Sequence, residues 1–158
     1  PNNVINEILE NAIHAPTHRM TQPWFFRVYK GKSKDILYEI IQNIDKEIYS
    51  VIKINKFIEK VKSSDTIISV CMTKDENNRV PEWEEIAAVS MAVQNMWLSC
   101  YVHNIGSYWS TPALKDEYAK HSGLNNNQKS LGFFFMGSYE HTETSKVRER
   151  HESKVKWV

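Results

Sequence analysis

Glycine is scarce in this chain: Gly31, Gly106, Gly123, Gly132 and Gly137 are the five among 158 residues. No three of them fall in a G-x-G-x-x-G spacing, and neither G-x-x-x-x-G-K-[ST] nor G-x-S-x-G occurs. A nucleotide-like ligand would need some other set of donors for its phosphate. Cysteine is equally sparse. Cys71 and Cys100 lie in separate apolar stretches without a C-x-x-C pair, and read as reduced packing residues of a cytoplasmic protein. Charge of one sign is not in excess, with 20 Lys and Arg against 19 Asp and Glu. Bulk charge therefore supplies no field to draw in nucleic acid or an anionic membrane surface. No apolar run approaches the ~20 residues of a membrane helix, and no basic-then-apolar start marks a signal peptide.

What is present is ordinary globular composition, 41% apolar and 25% charged, in a length that suits one domain over residues 1–158. Asn3 to His14 carries Ile5, Ile8, Leu9, Ala12 and Ile13 at helical spacing, with Asn2 or Asn3 as N-cap and Pro16 as the stop. Residues 17–22 form a stiff loop between Pro16 and Pro23. Trp24 to Tyr29 follows as a strand ending in the Lys30–Ser33 turn. Lys34 to Lys62 predicts one or two amphipathic helices with a break near Asn43–Asp45, and Thr66 to Met72 a buried strand. Glu82 to Ile105 is the longest helix candidate, stopped by Gly106 and apolar around almost its whole middle, which marks a core or interface helix. Ser107–Ser110, Ala113–His121 and Ser130–Ser138 read as strand, short helix and buried strand. Tyr139 to Val158 has no core face, although Val155, Trp157 and Val158 want an apolar partner. About four strands and four or five helices without strict alternation predict an α+β fold with a mixed or mostly antiparallel sheet.

Three polar constellations interrupt this apolar frame. The first packs His14, Thr17, His18, Arg19, Thr21 and Gln22 into nine positions around the two prolines. The second is Trp109-Ser110-Thr111, directly before Pro112 and a predicted helix start, where free amides suit an anion or a carbonyl oxygen. The third is the basic tail, Lys146, Arg148 and Arg150. Each alone has a plain structural reading: Trp109 as core, the arginines as a solvated tail. His14 and His18 stand four apart, but Pro16 lies between them and no glutamate completes HExxH, so no metal is expected.

Taken together the constellations are more specific. Ala15-Pro16-Thr17-His18-Arg19-Met20-Thr21-Gln22-Pro23-Trp24, the segment from Ala87 to Trp109, and Leu131-Gly132-Phe133-Phe134-Phe135-Met136-Gly137 closely resemble FMN-dependent nitroreductases in order and spacing. The likeness runs from Ile5 to Trp157. His18, the loop Glu76–Pro81 and Trp83-Glu84 resemble the small single-domain branch of that family.

That resemblance implies a homodimer with FMN at the subunit interface and NADH or NADPH as donor. Reducing equivalents would pass in ping-pong fashion to a small oxidised substrate, a nitro compound, quinone or relative. It places His14 and His18 against the flavin and its ribityl phosphate, Gln22 near the isoalloxazine, and Trp109, Ser110 and Thr111 on the other side of the cofactor. Arg148, with Arg150 as competitor, falls on the position that pairs with phosphate. No catalytic side chain is implied, because flavin N5 carries the hydride. Two departures stand out. Met20 occupies the position where the family usually has Asn. The family's Arg-Arg-Ser phosphate motif would lie ahead of Pro1, so that segment is expected to be missing before residue 1. Two rival readings share every motif: a flavin-binding sensor or store without turnover, and a degenerate non-catalytic member.

Overall fold

The run Phe133-Phe134-Phe135-Met136 feeds two separate cores, because successive side chains of a strand point to opposite faces. In the computed structural model, which describes residues 1–45, 49–140 and 148–158, this run lies in β4 (Gln128–Gly137). The other strands are β1 (Trp24–Lys30), β2 (Thr66–Thr73) and β3 (Gly106–Ser110). They form one four-stranded sheet in the order β1-β2-β4-β3, antiparallel throughout. Of the mixed and antiparallel alternatives, the sheet takes the second.

Register sets the two faces. Val28 stands opposite Ile68, Ile68 opposite Phe134, and Phe134 opposite Trp109. That row faces α1 (Asn2–Ile13) and α4 (Glu82–Val102), where Ile8, Ala12, Val89, Ala92, Val93 and Met96 close the first core. One residue along, Tyr29, Ile67 and Phe135 face α2 (Ser33–Gln42), α3 (Val51–Ser63) and α5 (Lys115–His121). Phe57 and Tyr118 meet Phe133 edge-on there, with ring centroids 4.8 and 4.9 Å apart. β2 is buried along nearly its whole length because both faces are covered, which is why its sequence reads as a continuous apolar run. Both cysteines are free and buried, and burial pushes each thiol up from its ordinary value, which suits packing rather than reactivity.

Some boundaries differ from the sequence expectation for identifiable reasons. The first helix already includes Asn2 and Asn3, so neither can cap it; Pro1 holds the cap position and no side chain bonds there. The break between α2 and α3 falls as expected after Gln42. Gly106 does not stop α4. The helix ends at Val102, Asn104 takes the left-handed conformation (φ 54°), and the Ile105 amide returns to the Cys100 carbonyl at 2.8 Å. Asn tolerates that conformation better than most side chains, which frees Gly106 to open β3 against the Tyr139 ring. A Cβ at Gly106 would come within 2.9 Å of that ring.

Candidate functional site

The proline-bracketed segment is a strained bend. His18–Met20 forms one 3-10 turn, and Arg19, Met20 and Gln22 all have positive φ, at 51°, 54° and 45°. Each such residue costs about 1–2 kcal/mol relative to right-handed backbone, so the surrounding contacts must impose the shape. Thr17 supplies two of them: its Oγ lies 3.0 Å from that of Thr21 and accepts the Gln22 amide at 3.1 Å. The Thr21 amide bonds the His18 carbonyl, and buried Pro23 accepts the Thr73 amide at 2.7 Å. His18 then ties the bend to α4, its Nδ1 lying 2.5 Å from Glu84 Oε2. A carboxylate can only accept, so Nδ1 carries the proton. Backbone strain held by such a set of contacts is a common mark of a ligand-gripping segment.

Around the bend the polar side chains face solvent. His14 caps α1 at its C-terminal end and is exposed, as are His18 and Gln22. Beside them runs a cleft of about 380 Å³, lined by Pro16, Thr17 and His18 on one side and Trp83, Glu84, Ala87, Ala88 and Met91 of α4 on the other. Trp83 is 68% exposed, unusual for so large an apolar ring.

The second constellation is pinned to a bulge. The β2–β4 register shifts between Val70 and Cys71, leaving Leu131 as the extra residue and Gly132 at φ 115°. Trp109 Nε1–H donates to the Leu131 carbonyl at 3.1 Å while its ring packs on the first core. The Ser110–Thr111 backbone lies directly against Gly132, where a Cβ would collide with the Ser110 carbonyl oxygen and sit 3.2 Å from Thr111 Cα. Ser110 is half-buried and Thr111 exposed. The helix that follows starts at Lys115, not Ala113, and its leading amides bond Pro112, Ala113 and Leu114 carbonyls. Residues 109–111 therefore present side chains at the sheet's end, not the open N-terminus of a helix.

Both constellations lie at the same end of the sheet, where β1 and β4 begin and β2 and β3 end. They occupy opposite edges, however. With β2 and β4 between them, three strand spacings separate β1 from β3, about 14 Å. Arg148 and Arg150 are exposed in the tail, and Lys146 lies outside the described residues. Among the described residues no group of three or more His, Cys, Asp or Glu could hold a metal ion, and no helix is long and apolar enough to cross a membrane.

The outer face of α4 is the other conspicuous surface. Trp83, Ala87, Met91, Leu98, Tyr101 and Val102 share one side of the helix at spacings of three, four and seven. Leu98, Tyr101 and Val102 are 56%, 77% and 75% exposed. An exposed apolar stripe of this kind, interrupted at its middle by the exposed Gln94, marks an association surface. The pairing of Glu84 with His18 is absent from the sequence reading, for no local pattern links positions 66 residues apart.

Comparison with known proteins follows the same lines. The model of the nitroreductase family matches residues 1–138. YfhC of Bacillus subtilis (strain 168), named "Putative NAD(P)H nitroreductase", is 29% identical over 157 residues, covering 95% of this chain and 79% of its own. A nitroreductase-like family protein from Bacillus cereus superposes with a TM-score of 0.88 at 22% identity, over 100% of this chain and 85% of that one. A "putative nitroreductase" from Desulfovibrio desulfuricans, solved in complex with FMN, gives a TM-score of 0.75 at 20% identity, over 100% of this chain and 86% of that one.

Proposed function

The chain belongs to the nitroreductase family, and from that premise we propose that it is an FMN-dependent oxidoreductase. It takes reducing equivalents from NADH or NADPH and passes them to a small organic substrate such as a nitro compound or a quinone. The observation that carries this reading is the bend at residues 16–23: three strained residues held rigid by Thr17, Pro23 and Glu84, with the side chains of His14, His18 and Gln22 open to solvent. The donor set suits a flavin. An amide and two imidazoles stand exposed along one short bend, and none of these side chains is needed to satisfy the core.

When bound, the flavin supplies the electron chemistry; the protein's contribution is to hold and orient it. Gln22 offers an amide to the polar edge of the ring, and His14 and His18 line the ring-to-phosphate side. Trp109, Ser110 and Thr111 form the opposing wall, with Trp109 fixed by its bond to Leu131. Arg148, exposed in the tail, would supply the guanidinium for the phosphate. No side chain has to act as a nucleophile.

A second copy of the chain completes the pocket. Within one chain the bend and the Trp109 turn stand on opposite edges of the sheet, and the exposed stripe of α4 offers the surface for a symmetric homodimer. A second subunit on that stripe can bring one chain's bend toward the other chain's turn. The buried, unreactive cysteines accord with a cytoplasmic setting.

Purified protein supplied with FMN should retain the yellow cofactor, and anaerobic addition of NADH or NADPH should bleach it. Colourless protein refutes flavin binding. Yellow protein that neither nicotinamide bleaches refutes the enzyme and leaves the flavin store or sensor.

A further inference from the structure

Bulk charge is balanced in this chain, but its distribution is not. Within its 13 residues α3 carries Lys53, Lys56, Lys60 and Lys62 against a single acid, Glu59. The whole chain holds 20 basic and 19 acidic residues, so everything outside α3 is net acidic. Glu59 pairs only with Lys62, at 2.9 Å. Lys53, Lys56 and Lys60 have no carboxylate partner among the described residues; the Lys60 ammonium lies 5.7 Å from the centre of the Tyr108 ring instead. All three are exposed. Spacings of three and four place them in one line about 10 Å long. Ile54, Phe57 and Val61 repeat that spacing one position further on and seat the helix in the second core, which fixes the lysine line outward. At the start of the helix Val51 and Ile52 are 51% and 68% exposed, and Ile52 stands one turn from Lys56. α3 packs on the sheet face away from α4, so a dimer built on the α4 stripe does not use this surface.

We propose that the exposed face of α3 docks the protein on an anionic lipid surface. The lysines supply the charge, and Ile52 with Val51 the apolar contact. Composition separates lipid from other acidic partners. Protein interfaces are depleted in Lys and enriched in Arg and aromatic residues, and the phosphates of nucleic acid favour the bidentate Arg fork. α3 contains no Arg, Trp or Tyr. Its cations are compact point charges, which suit a diffuse negative surface. Apolar side chains beside such charges enter the boundary between headgroups and acyl chains, a contact that nucleic acid does not offer. The helix itself does not insert, because its apolar stripe is already used by the core. Adhesion is therefore peripheral and salt-sensitive, and it is independent of the flavin reading.

Co-sedimentation of the purified protein with vesicles tests this, phosphatidylcholine alone against phosphatidylcholine with about one-third phosphatidylglycerol. Binding should be confined to the anionic vesicles at low salt and vanish at about 0.5 M salt, where the Debye length falls to ~4 Å. Each lysine near such a surface contributes about fivefold to partitioning. Lys53→Gln with Lys56→Gln and Lys60→Gln should therefore lower it roughly a hundredfold, with helix propensity kept. Ile52→Ser should lower it about fivefold and leave the salt dependence as it is. Lys154→Gln with Lys156→Gln removes charge from the tail and should leave binding within about twofold of wild type. Absence of binding to the anionic vesicles at low salt overturns the proposal. So does equal binding to both kinds of vesicle, or a triple variant that binds like wild type. A short DNA duplex that the protein prefers to the anionic vesicles, with the same loss in the triple variant, assigns the face to nucleic acid and overturns the lipid surface.

Discussion

Replacing Gly132 with Ala tests the geometry of the site more sharply than deleting any polar side chain. Two costs coincide there. At φ 115° an L side chain is strained wherever it points, and the added methyl meets backbone, the Ser110 carbonyl and Thr111 Cα, which cannot rotate away. The strand end must move, and with it the Trp109 indole that donates to Leu131. Strain of about 1–2 kcal/mol, overpacking of about 1–3 and a weakened hydrogen bond of about 1 combine to roughly 3–6 kcal/mol. That is a large share of the stability of a domain this size, about 5–15 kcal/mol. In urea titrations at matched protein concentration the midpoint should fall with little change in slope. FMN affinity should fall in parallel, because Ser110 and Thr111 move. Gly123→Ala is the control: its φ is 70°, but nothing lies within 4 Å of the new methyl, so only the backbone cost of about 1 kcal/mol remains. If the two variants lose the same stability, the close approach of residues 110–111 to the bulge is not what fixes this turn.

Other perturbations address the remaining features. His18→Ala combined with Arg148→Ala should weaken FMN retention at least tenfold by fluorescence titration; unchanged affinity removes both from the cofactor site. Leu98→Asp with Tyr101→Asp places charge on the exposed stripe of α4 and should give monomers by light scattering that no longer hold FMN, whereas an intact dimer would move the interface elsewhere. Acid stability carries a sign that can be checked. The Arg79 guanidinium holds the Asp75 carboxyl below its usual range, and Lys129 does the same for Glu82. Groups with depressed folded values contribute stability above the unfolded value of about 4 and lose it as pH falls through the folded one. Asp75→Asn should therefore flatten the stability curve below about pH 4, and a curve identical to wild type would show that the Arg79 pairing contributes nothing.

Much of the fold was legible because its signals are local. β2 and β4 announce themselves as apolar runs bounded by polar turns, α1 as a stripe ended by Pro16, and α4 as a long helix with an acidic start and almost no polar face over its middle. The two-sided burial of the sheet explains the first pair directly. What misled was also local in appearance. Gly106 looks like a helix stop, yet Asn104 does that work two residues earlier, since either residue type tolerates the left-handed turn. Ala113 and Leu114 read as helix by composition, but they form the turn that leads into α5, with Leu114 at the cap position and its carbonyl accepting the Tyr118 amide.

The site is legible only in part, and the division is physical. Motif residues such as Pro16, Gln22 and Pro23 lie close in sequence, so their spacing already implies a bend. The shape of that bend is another matter. Nothing in Arg19-Met20-Thr21-Gln22 predicts positive φ at three of four positions; left alone, such residues would relax to right-handed or extended backbone. The strain persists because distant groups over-determine it: Thr73 grips Pro23, and Glu84 grips His18 across 66 residues of chain. The same logic applies at Gly132, whose need for glycine comes from its φ of 115° at the bulge together with the backbone of Ser110 and Thr111 across the sheet. A flavin pocket assembled in this way has its positions written locally and its geometry written by tertiary contacts. Substitutions at Glu84 or Gly132 should therefore disturb FMN binding although neither residue belongs to the set proposed to touch the cofactor.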